Sequence, residues 1–214
     1  MSSAAARSRM HARRRAARRG VRRRRRAAVA LLAAAAAVVA AVILALGPVG
    51  DAFREITLPL RHDDIIRQQA RHKGLDAALI AAVIYEESKF RDQTSHAGAR
   101  GLMQITPRTA EFIARRSGGT RFVQGDLATP QINISYGAYY LRYLMHRYDG
   151  NTELAVAAYN AGETNVDNWV RRAGGPDAFD SVRDIPFPET RAYVHGVLER
   201  QRDYRDHYAD ELGY

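Results

Sequence analysis

Beyond residue 62, apolar residues recur at the three- and four-residue spacing of amphipathic helices, and glycines and prolines separate the runs. No run alternates for long enough to predict a strand, so we expect an all-α domain. The predicted helices cover residues 63–72, 79–90, 107–113, 130–148, 154–159 and 166–170, and a last one starts near residue 189.

The residues at the helix ends favour the same division. Asp76 and Thr106 can cap the helices that follow them, and Pro107 and Pro130 suit a first helical turn. Gly74 can end the first helix. Residues 120–128 and the stretch from residue 174 to 188 are expected to be loops. Beyond residue 200 the chain is polar with scattered tyrosines, which predicts an exposed helical tail.

Two adjacent glutamates occupy different positions on the helix that carries Leu79 to Phe90. Five apolar residues of this helix centre on one direction of the helical wheel; Glu87 falls roughly 20° from that centre and Glu86 roughly 80° away. A buried carboxyl has a raised pKa and keeps a proton near neutral pH, as a general acid requires. The wheel alone leaves a second interpretation open, in which the last turn frays and Glu87 reaches solvent.

A run of small residues follows this helix. Ala97, Gly98, Ala99 and Gly101 cannot build a helix face, but they let the backbone pass close to other groups. Gln104 then offers one hydrogen-bond acceptor and two donors just beyond the turn. The pattern predicts a binding loop beside the end of the glutamate helix.

Three motifs, taken in order, resemble the soluble lytic transglycosylase domain of the lysozyme superfamily. They are Glu-Ser-Lys-Phe at 87–90, Gly-Ala-Arg-Gly-Leu-Met-Gln at 98–104 and Ala-Tyr-Asn-Ala-Gly at 158–162. The resemblance covers roughly residues 65 to 200. It implies a lysozyme-like helical domain that acts on the glycan strands of peptidoglycan.

The resemblance also implies the chemistry. Members of this family cut between N-acetylmuramic acid and N-acetylglucosamine without water and leave a 1,6-anhydromuramyl end. Glu87 is expected to protonate the glycosidic oxygen and then to accept the proton of the muramyl 6-hydroxyl. The muramyl N-acetyl group assists from the substrate side, so no second carboxylate is needed.

The remaining site residues are carried over from the same resemblance. Ser88 is expected to support the acid, and the others to bind substrate or wall the cleft: Ser95, Met103, Gln104, Tyr159, Asn160 and Tyr193. The spacing from Glu87 to Ser95 is one residue shorter than the commonest family form, which leaves Ser95 open as an ordinary loop serine. The resemblance implies that the Tyr193 hydroxyl approaches Glu87; Tyr193 can alternatively be a core aromatic. Glu86 is an extra acid, expected to be solvated.

Charge divides the chain. Residues 1–26 hold twelve arginines and no acid, whereas the rest carries 21 Lys+Arg against 23 Asp+Glu. Residues 27–50 contain no charge and are long enough to cross a bilayer, which needs about 20 residues. The positive-inside rule then predicts a single-pass anchor at the cell membrane, with the catalytic domain extracytoplasmic. A cleaved signal peptide is the competing interpretation.

The predicted organisation is therefore a basic cytoplasmic tail at 1–26, a transmembrane helix at 27–50, a linker at 51–62, a catalytic domain at 63–205 and a short tail at 206–214. No aromatic residues interleave the arginines of the basic tail, so anionic lipid is favoured over nucleic acid as its partner. Protein partners stay open.

Cofactor chemistry has little support in the sequence. The chain has no cysteine, its seven histidines lack metal-ligand spacing, and no glycine-rich loop follows a strand. We therefore expect no metal and no cofactor. Two alternative functions stay open beside lytic cleavage: a hydrolytic muramidase of the same fold, and a catalytically weak module that binds peptidoglycan.

Overall fold

The structure is a computed structural model that describes residues 32, 35–39, 42, 55–117 and 123–214. The chain forms two units, Met1–Ile56 and Thr57–Tyr214. In the first, the described residues 35–39 are helical. Within the described part of the chain, no helix is both long and apolar enough to span a membrane. The predicted basic tail and most of the predicted anchor lie outside the described residues, so both stay predictions.

The second unit is helical, and in its described residues we find isolated β-bridges but no strand. Its predicted all-α class is confirmed. We number the helices α1 Asp63–Lys73, α2 Ala77–Ser88, α3 Pro107–Ser117, α4 Pro130–Arg147, α5 Thr152–Ala161, α6 Glu163–Ala173, α7 Ser181–Asp184, α8 Pro188–His207 and α9 Ala209–Leu212.

Several predicted helix ends are confirmed, but α2 ends at Ser88 and not at Phe90, and α3, α5 and α6 extend beyond their predicted ranges. The Asp76 carboxylate accepts a hydrogen bond from the Ala78 N–H at 2.9 Å and caps α2. The Thr106 hydroxyl accepts one from the Thr109 N–H at 3.2 Å at the start of α3. Gly74, with φ +62°, ends α1 in the left-handed conformation that glycine adopts without strain.

Two predicted loops contain helical turns. Residues Gln124–Ala128 and Pro176–Ala178 form 3₁₀ helices, and α7 follows the second of these. Each segment is too short to show a 3.6-residue apolar period, which is why the pattern predicts loop there.

Helix α2 is the centre of the domain and packs along α8. Every residue from Ala77 to Ile84 is buried, so the helix has no solvated face over its first two turns. The single apolar stripe inferred from the sequence is therefore wrong for this part of α2. Only the last turn of α2 leaves the core, and it carries the two glutamates.

The end of the chain is not an exposed tail, contrary to the sequence-based expectation. Tyr204 is fully buried and its hydroxyl donates to the Pro59 carbonyl at 2.6 Å. Leu212 is also buried. The Tyr214 hydroxyl contacts Asp76, the cap of α2. Because α8 extends to His207, Tyr204 reaches the core from a helix that is polar on average.

Candidate active site

Glu87 lies at the end of α2, where the chain reverses sharply. Lys89 and Phe90 have φ of 50° and 58°, and two successive non-glycine residues in the left-handed region cost on the order of 1–2 kcal/mol each. The Lys89 N–H still donates to the Tyr85 carbonyl at 2.8 Å, and Phe90 is buried. The turn therefore holds the last helical turn in one orientation.

Ser88 fixes this turn to the glycine-containing loop. Its side chain is buried, and its hydroxyl lies 2.7 Å from the Leu102 carbonyl and 3.1 Å from the Ile84 carbonyl. These two contacts hold the end of α2 against the loop, and the predicted support of the acid by Ser88 stays a prediction. On the other side, the Gln93 amide donates to the Glu87 carbonyl at 3.1 Å.

Asn133 of α4 anchors the same loop from below. It is buried; its side-chain oxygen accepts from the Met103 N–H at 2.8 Å, and its nitrogen donates to the carbonyls of Arg100 and Leu127 at 2.9 and 3.0 Å. A Cβ on Gly101 would lie 2.1 Å from the Asn133 nitrogen, so only glycine fits there. Asn133 is not predicted from the sequence, where its only signal is a polar residue between two apolar ones on a helix.

Tyr193 of α8 contacts Glu87 directly. The Tyr193 hydroxyl donates to Glu87 Oε1 at 2.7 Å. Burial raises the pKa of Glu87 from an ordinary 4.5 to about 7; the Tyr193 hydrogen bond opposes this shift and the Glu86 charge adds to it. Glu87 is thus half-protonated near neutral pH and can release and regain a proton.

Glu86 is half-buried instead of fully solvated. It faces α8 at Gly196, where an added Cβ would lie 2.7 Å from Glu86 Oε1. Desolvation raises the pKa of Glu86, the charges of Arg200 and Lys89 oppose this, and the Glu199 charge adds to it. The two glutamates therefore meet α8 at different positions, with Glu87 at Tyr193 and Glu86 about one turn further along.

Tyr159 of α5 closes another side of the site. Its hydroxyl donates to the Met103 carbonyl at 2.9 Å. Burial and the neighbouring Glu87 charge raise the pKa of Tyr159 well above its ordinary value, so the phenol stays protonated. Met103 itself is fully buried and packs on Gly137, where a Cβ would lie 2.2 Å from its sulfur. Met103 thus supports the site through its backbone, and its side chain is not exposed to substrate.

The polar side chains at the rim are held by short contacts. Asn160 is exposed, and its side-chain oxygen accepts from the buried Thr190 hydroxyl at 2.8 Å. The Gln104 amide donates to the Gly101 carbonyl at 2.8 Å and to the Gln93 carbonyl at 3.1 Å, from a backbone with φ 45°. Both side chains keep atoms free of these contacts that a sugar amide or hydroxyl could use.

The hydrogen bonds of Ser95 described here are made within its own loop. Its hydroxyl oxygen accepts from the Ala99 N–H at 3.1 Å, and its own N–H donates to the Ala99 carbonyl at 2.9 Å. These contacts are those of a loop serine that closes a turn. Its predicted contact with sugar stays a prediction.

The surface formed by the described residues includes two sizeable grooves, and Glu87 lines neither of them. One of about 390 Å³ includes Tyr140, whose ring centroid lies 5.5 Å from that of Tyr159. The other, of about 710 Å³, lies between the end of α4 and α6. The groove of about 390 Å³ is the more relevant one for function, because the Tyr140 ring that lines it packs against Tyr159 of the site. Within the described residues, no group of three or more histidine and acidic side chains could hold a metal ion.

Comparisons with known proteins identify the family of this chain. Residues 64–181, more than half of the chain, match the family model of the transglycosylase SLT domain. The soluble lytic murein transglycosylase of Salmonella typhimurium is 36% identical over 154 residues, which are 71% of this chain and 24% of that protein. The membrane-bound lytic murein transglycosylase C of Salmonella arizonae is 31% identical over 66% of this chain and 45% of its own.

A solved structure is also similar. An inactive variant of the lytic transglycosylase Slt from Pseudomonas aeruginosa superimposes with a TM-score of 0.67 at 34% identity, over 73% of this chain and 26% of that one. The chain thus spans about a quarter of the soluble relatives that it matches. From the match of sequence and fold together, the chain belongs to the transglycosylase SLT domain family, within the lysozyme-like superfamily.

Proposed function

We propose that this chain is a peptidoglycan lytic transglycosylase, which cleaves the β-1,4 bond between N-acetylmuramic acid and N-acetylglucosamine without water. One observation carries the proposal: the partly buried Glu87, with a pKa near 7, bonded to Tyr193 at 2.7 Å. A single group that titrates near neutral pH can serve both as acid and as base.

In the first step, protonated Glu87 gives its proton to the glycosidic oxygen. The bond from that oxygen to the muramyl C1 breaks, and the 4-hydroxyl of N-acetylglucosamine leaves. The muramyl N-acetyl oxygen donates electrons to C1, as in substrate-assisted glycosidases. Tyr193 orients the carboxyl, and its hydrogen bond stabilises the carboxylate that forms.

In the second step, the Glu87 carboxylate takes the proton of the muramyl 6-hydroxyl. The freed oxygen attacks C1, displaces the N-acetyl oxygen and closes the 1,6-anhydro ring. Glu87 returns to its protonated state, so the enzyme is unchanged after one turnover. Gln104, Tyr159 and Asn160 are proposed to hold the muramyl residue during both steps.

A hydrolytic muramidase is the nearest alternative. A paired-carboxylate glycosidase needs its second carboxyl about 5–9.5 Å across the cleft to act as nucleophile or to activate water. Glu86 faces Gly196 of α8, and Glu163 accepts from the Tyr143 hydroxyl at 2.8 Å. Neither arrangement favours that role, which supports the lytic reaction. The other alternative, a catalytically weak module that binds peptidoglycan, would not require an acid with a raised pKa such as Glu87.

We also propose that residues 27–50 anchor the domain to the cell membrane with the catalytic unit outside. The uncharged stretch and the twelve arginines before it support this topology. Protease added to intact wall-less cells should digest the domain and spare the tail. A mature protein that begins near Pro48 would instead identify a cleaved leader.

Mass spectrometry of fragments released from purified wall tests the activity. The full chain should release anhydro-ended fragments, and Glu87→Gln should lose at least about 10²–10⁴-fold of the rate. Glu111→Gln is the matched control, since Glu111 is exposed on α3 and pairs with Arg115 at 3.6 Å. Reducing ends from the wild type would favour the muramidase, and binding to wall without any fragments would favour the binding module.

A further inference from the structure

The groove beside Tyr140 contains a positive charge that the proposed mechanism does not use. Arg108 and Thr109 at the start of α3 form one wall, and residues 161–164, from the end of α5 to the start of α6, form the other. Its volume of about 390 Å³ exceeds what a single hydroxyl or water molecule requires. The groove is therefore large enough for a branch of an extended substrate.

Arg108 is exposed and, in the part of the chain that the structure describes, makes no ion pair. Its guanidinium is near enough to Tyr140 to oppose the rise of that phenol's pKa, which burial brings to about 12. The cation thus faces the groove and its aromatic floor. An unpaired guanidinium is suited to a planar carboxylate, which it can bind through two parallel hydrogen bonds.

Glu163 is the acid within this groove, and its carboxylate is engaged by Arg147, which also pairs with Asp167 at 2.6 Å. The Oε1 of Glu163 lies 3.1 Å from Arg147 Nε and accepts from the Tyr143 hydroxyl at 2.8 Å. Arg116 lies close by, with its guanidinium 5.5 Å from the Phe112 ring centroid. The three guanidiniums of Arg108, Arg116 and Arg147 outnumber the two carboxylates that Arg147 contacts, so the groove favours an anionic ligand over a cationic one.

The groove also adjoins the site. The Tyr140 ring forms its floor and lies 5.5 Å from Tyr159, whose hydroxyl is bonded to the carbonyl of Met103, next to Gln104. Phe112 packs edge-on against Tyr140 with 6.2 Å between ring centroids and extends the apolar floor. A ligand that extends from the cleft past Tyr159 would reach Arg108.

We propose that Arg108 and the groove around it bind a carboxylate on the lactyl or peptide branch of the glycan substrate. This inference rests on the proposed function, since it assigns a second contact to the same substrate. The carboxylate can come from the peptide, or from the lactyl group itself once the peptide has been removed. Arg108 then sets which wall fragments bind, and Glu87 performs the chemistry.

The test uses the full chain with Arg108→Gln and Arg108→Lys, and with Arg115→Gln as control on the same helix. Substrates are peptide-bearing glycan, peptide-stripped glycan with free lactyl carboxylates, and an N-acetylglucosamine oligomer without carboxylates. Initial rates give kcat and KM. A second arm measures the Kd of each ligand on the Glu87→Gln background, so that binding is read without turnover.

We expect Arg108→Gln to raise KM and Kd about three- to tenfold for a carboxylate-bearing ligand, with kcat nearly unchanged, because one exposed charge-assisted hydrogen-bond pair is lost. Arg108→Lys should recover part of the affinity. An effect on peptide-bearing glycan alone assigns the peptide carboxylate, and an effect on stripped glycan assigns the lactyl group.

The proposal is overturned if Arg108→Gln leaves every Kd unchanged. It is also overturned if Arg108→Gln raises the Kd of the carboxylate-free oligomer as much as that of the other ligands, or if Arg115→Gln raises the Kd values equally. A wild-type chain that neither binds nor cuts glycan would instead refute the proposed function, and the proposal about Arg108 with it. The two failures are therefore distinguishable.

Discussion

Replacing Glu87 with glutamine should make the domain more stable above neutral pH and leave its stability nearly unchanged in acid. Burial raises the folded-state pKa of Glu87 from 4.5 to about 7. A folded state with the higher pKa binds more protons than the unfolded state between these values, so the wild type loses stability as pH rises through that window. Glutamine has no charge to desolvate, and Tyr193 can still donate to its side-chain oxygen.

The magnitude follows from the shift. Each pKa unit is worth about 1.4 kcal/mol, so the wild type should lose about 3 kcal/mol relative to the variant between about pH 4.5 and pH 7. For a domain of this size, that difference corresponds to a separation in Tm of about 6–12 °C. Above pH 7 the difference in Tm between the wild type and Glu87→Gln should be constant, and well below pH 4.5 the contribution of Glu87 to this difference should vanish.

Thermal unfolding followed by circular dichroism across this pH range provides the assay. Taking the difference between the two proteins cancels the titration of groups that they share. Glu111→Gln is the control, because it removes an exposed carboxylate, keeps Glu87 and should keep the steep loss of stability. A separation between wild type and Glu87→Gln that is flat from about pH 5 to pH 8 would refute the claim that Glu87 is desolvated.

Three further predictions concern the pH profile, the packing and the independence of the domain. The Glu86 charge raises the Glu87 pKa and the Tyr193 hydrogen bond lowers it, so Glu86→Gln should move the alkaline limb of kcat/KM to lower pH and Tyr193→Phe should move it to higher pH. If both variants moved this limb in the same direction, the explanation would be contradicted. Gly137→Ala should lower Tm and kcat/KM together, because the added carbon meets the Met103 side chain at 2.2 Å and the Met103 carbonyl accepts the hydrogen bond of Tyr159. An unchanged kcat/KM would show that the loop adapts to the added carbon. A fragment that begins at residue 51 should be helical by circular dichroism and active on solubilised wall; helical content without turnover would show that the anchor takes part in catalysis.

The sequence predicts the fold well where local signals are strong. Asp76, Gly74 and Pro130 mark helix ends through capping and backbone restriction, which act within a few residues. The direction of the Glu87 side chain could not be predicted as securely from the sequence. The helical wheel predicts one buried stripe, whereas α2 is buried on every side up to Ile84, and Glu87 is set by the turn that follows it.

Other parts of the site depend on contacts between residues far apart in the chain. Asn133 reaches the loop thirty residues before it, and the Tyr193 hydroxyl meets Glu87 across 106 residues. Resemblance to the family led to Tyr193, but no local pattern leads to Asn133 or to Arg108. Tyr204 and Tyr208 read as parts of a polar tail because the carbonyls that accept from their hydroxyls, those of Pro59 and Leu58, lie at the opposite end of the unit in sequence.

The central claim is that Glu87 drives cleavage without water, and digestion of purified wall in heavy-oxygen water tests it most directly. The account predicts 1,6-anhydromuramyl ends that carry no label from solvent, because the ring oxygen comes from the muramyl 6-hydroxyl. Their release should disappear in Glu87→Gln and persist in Glu86→Gln. Reducing muramyl ends that carry one labelled oxygen in the initial products would contradict the account.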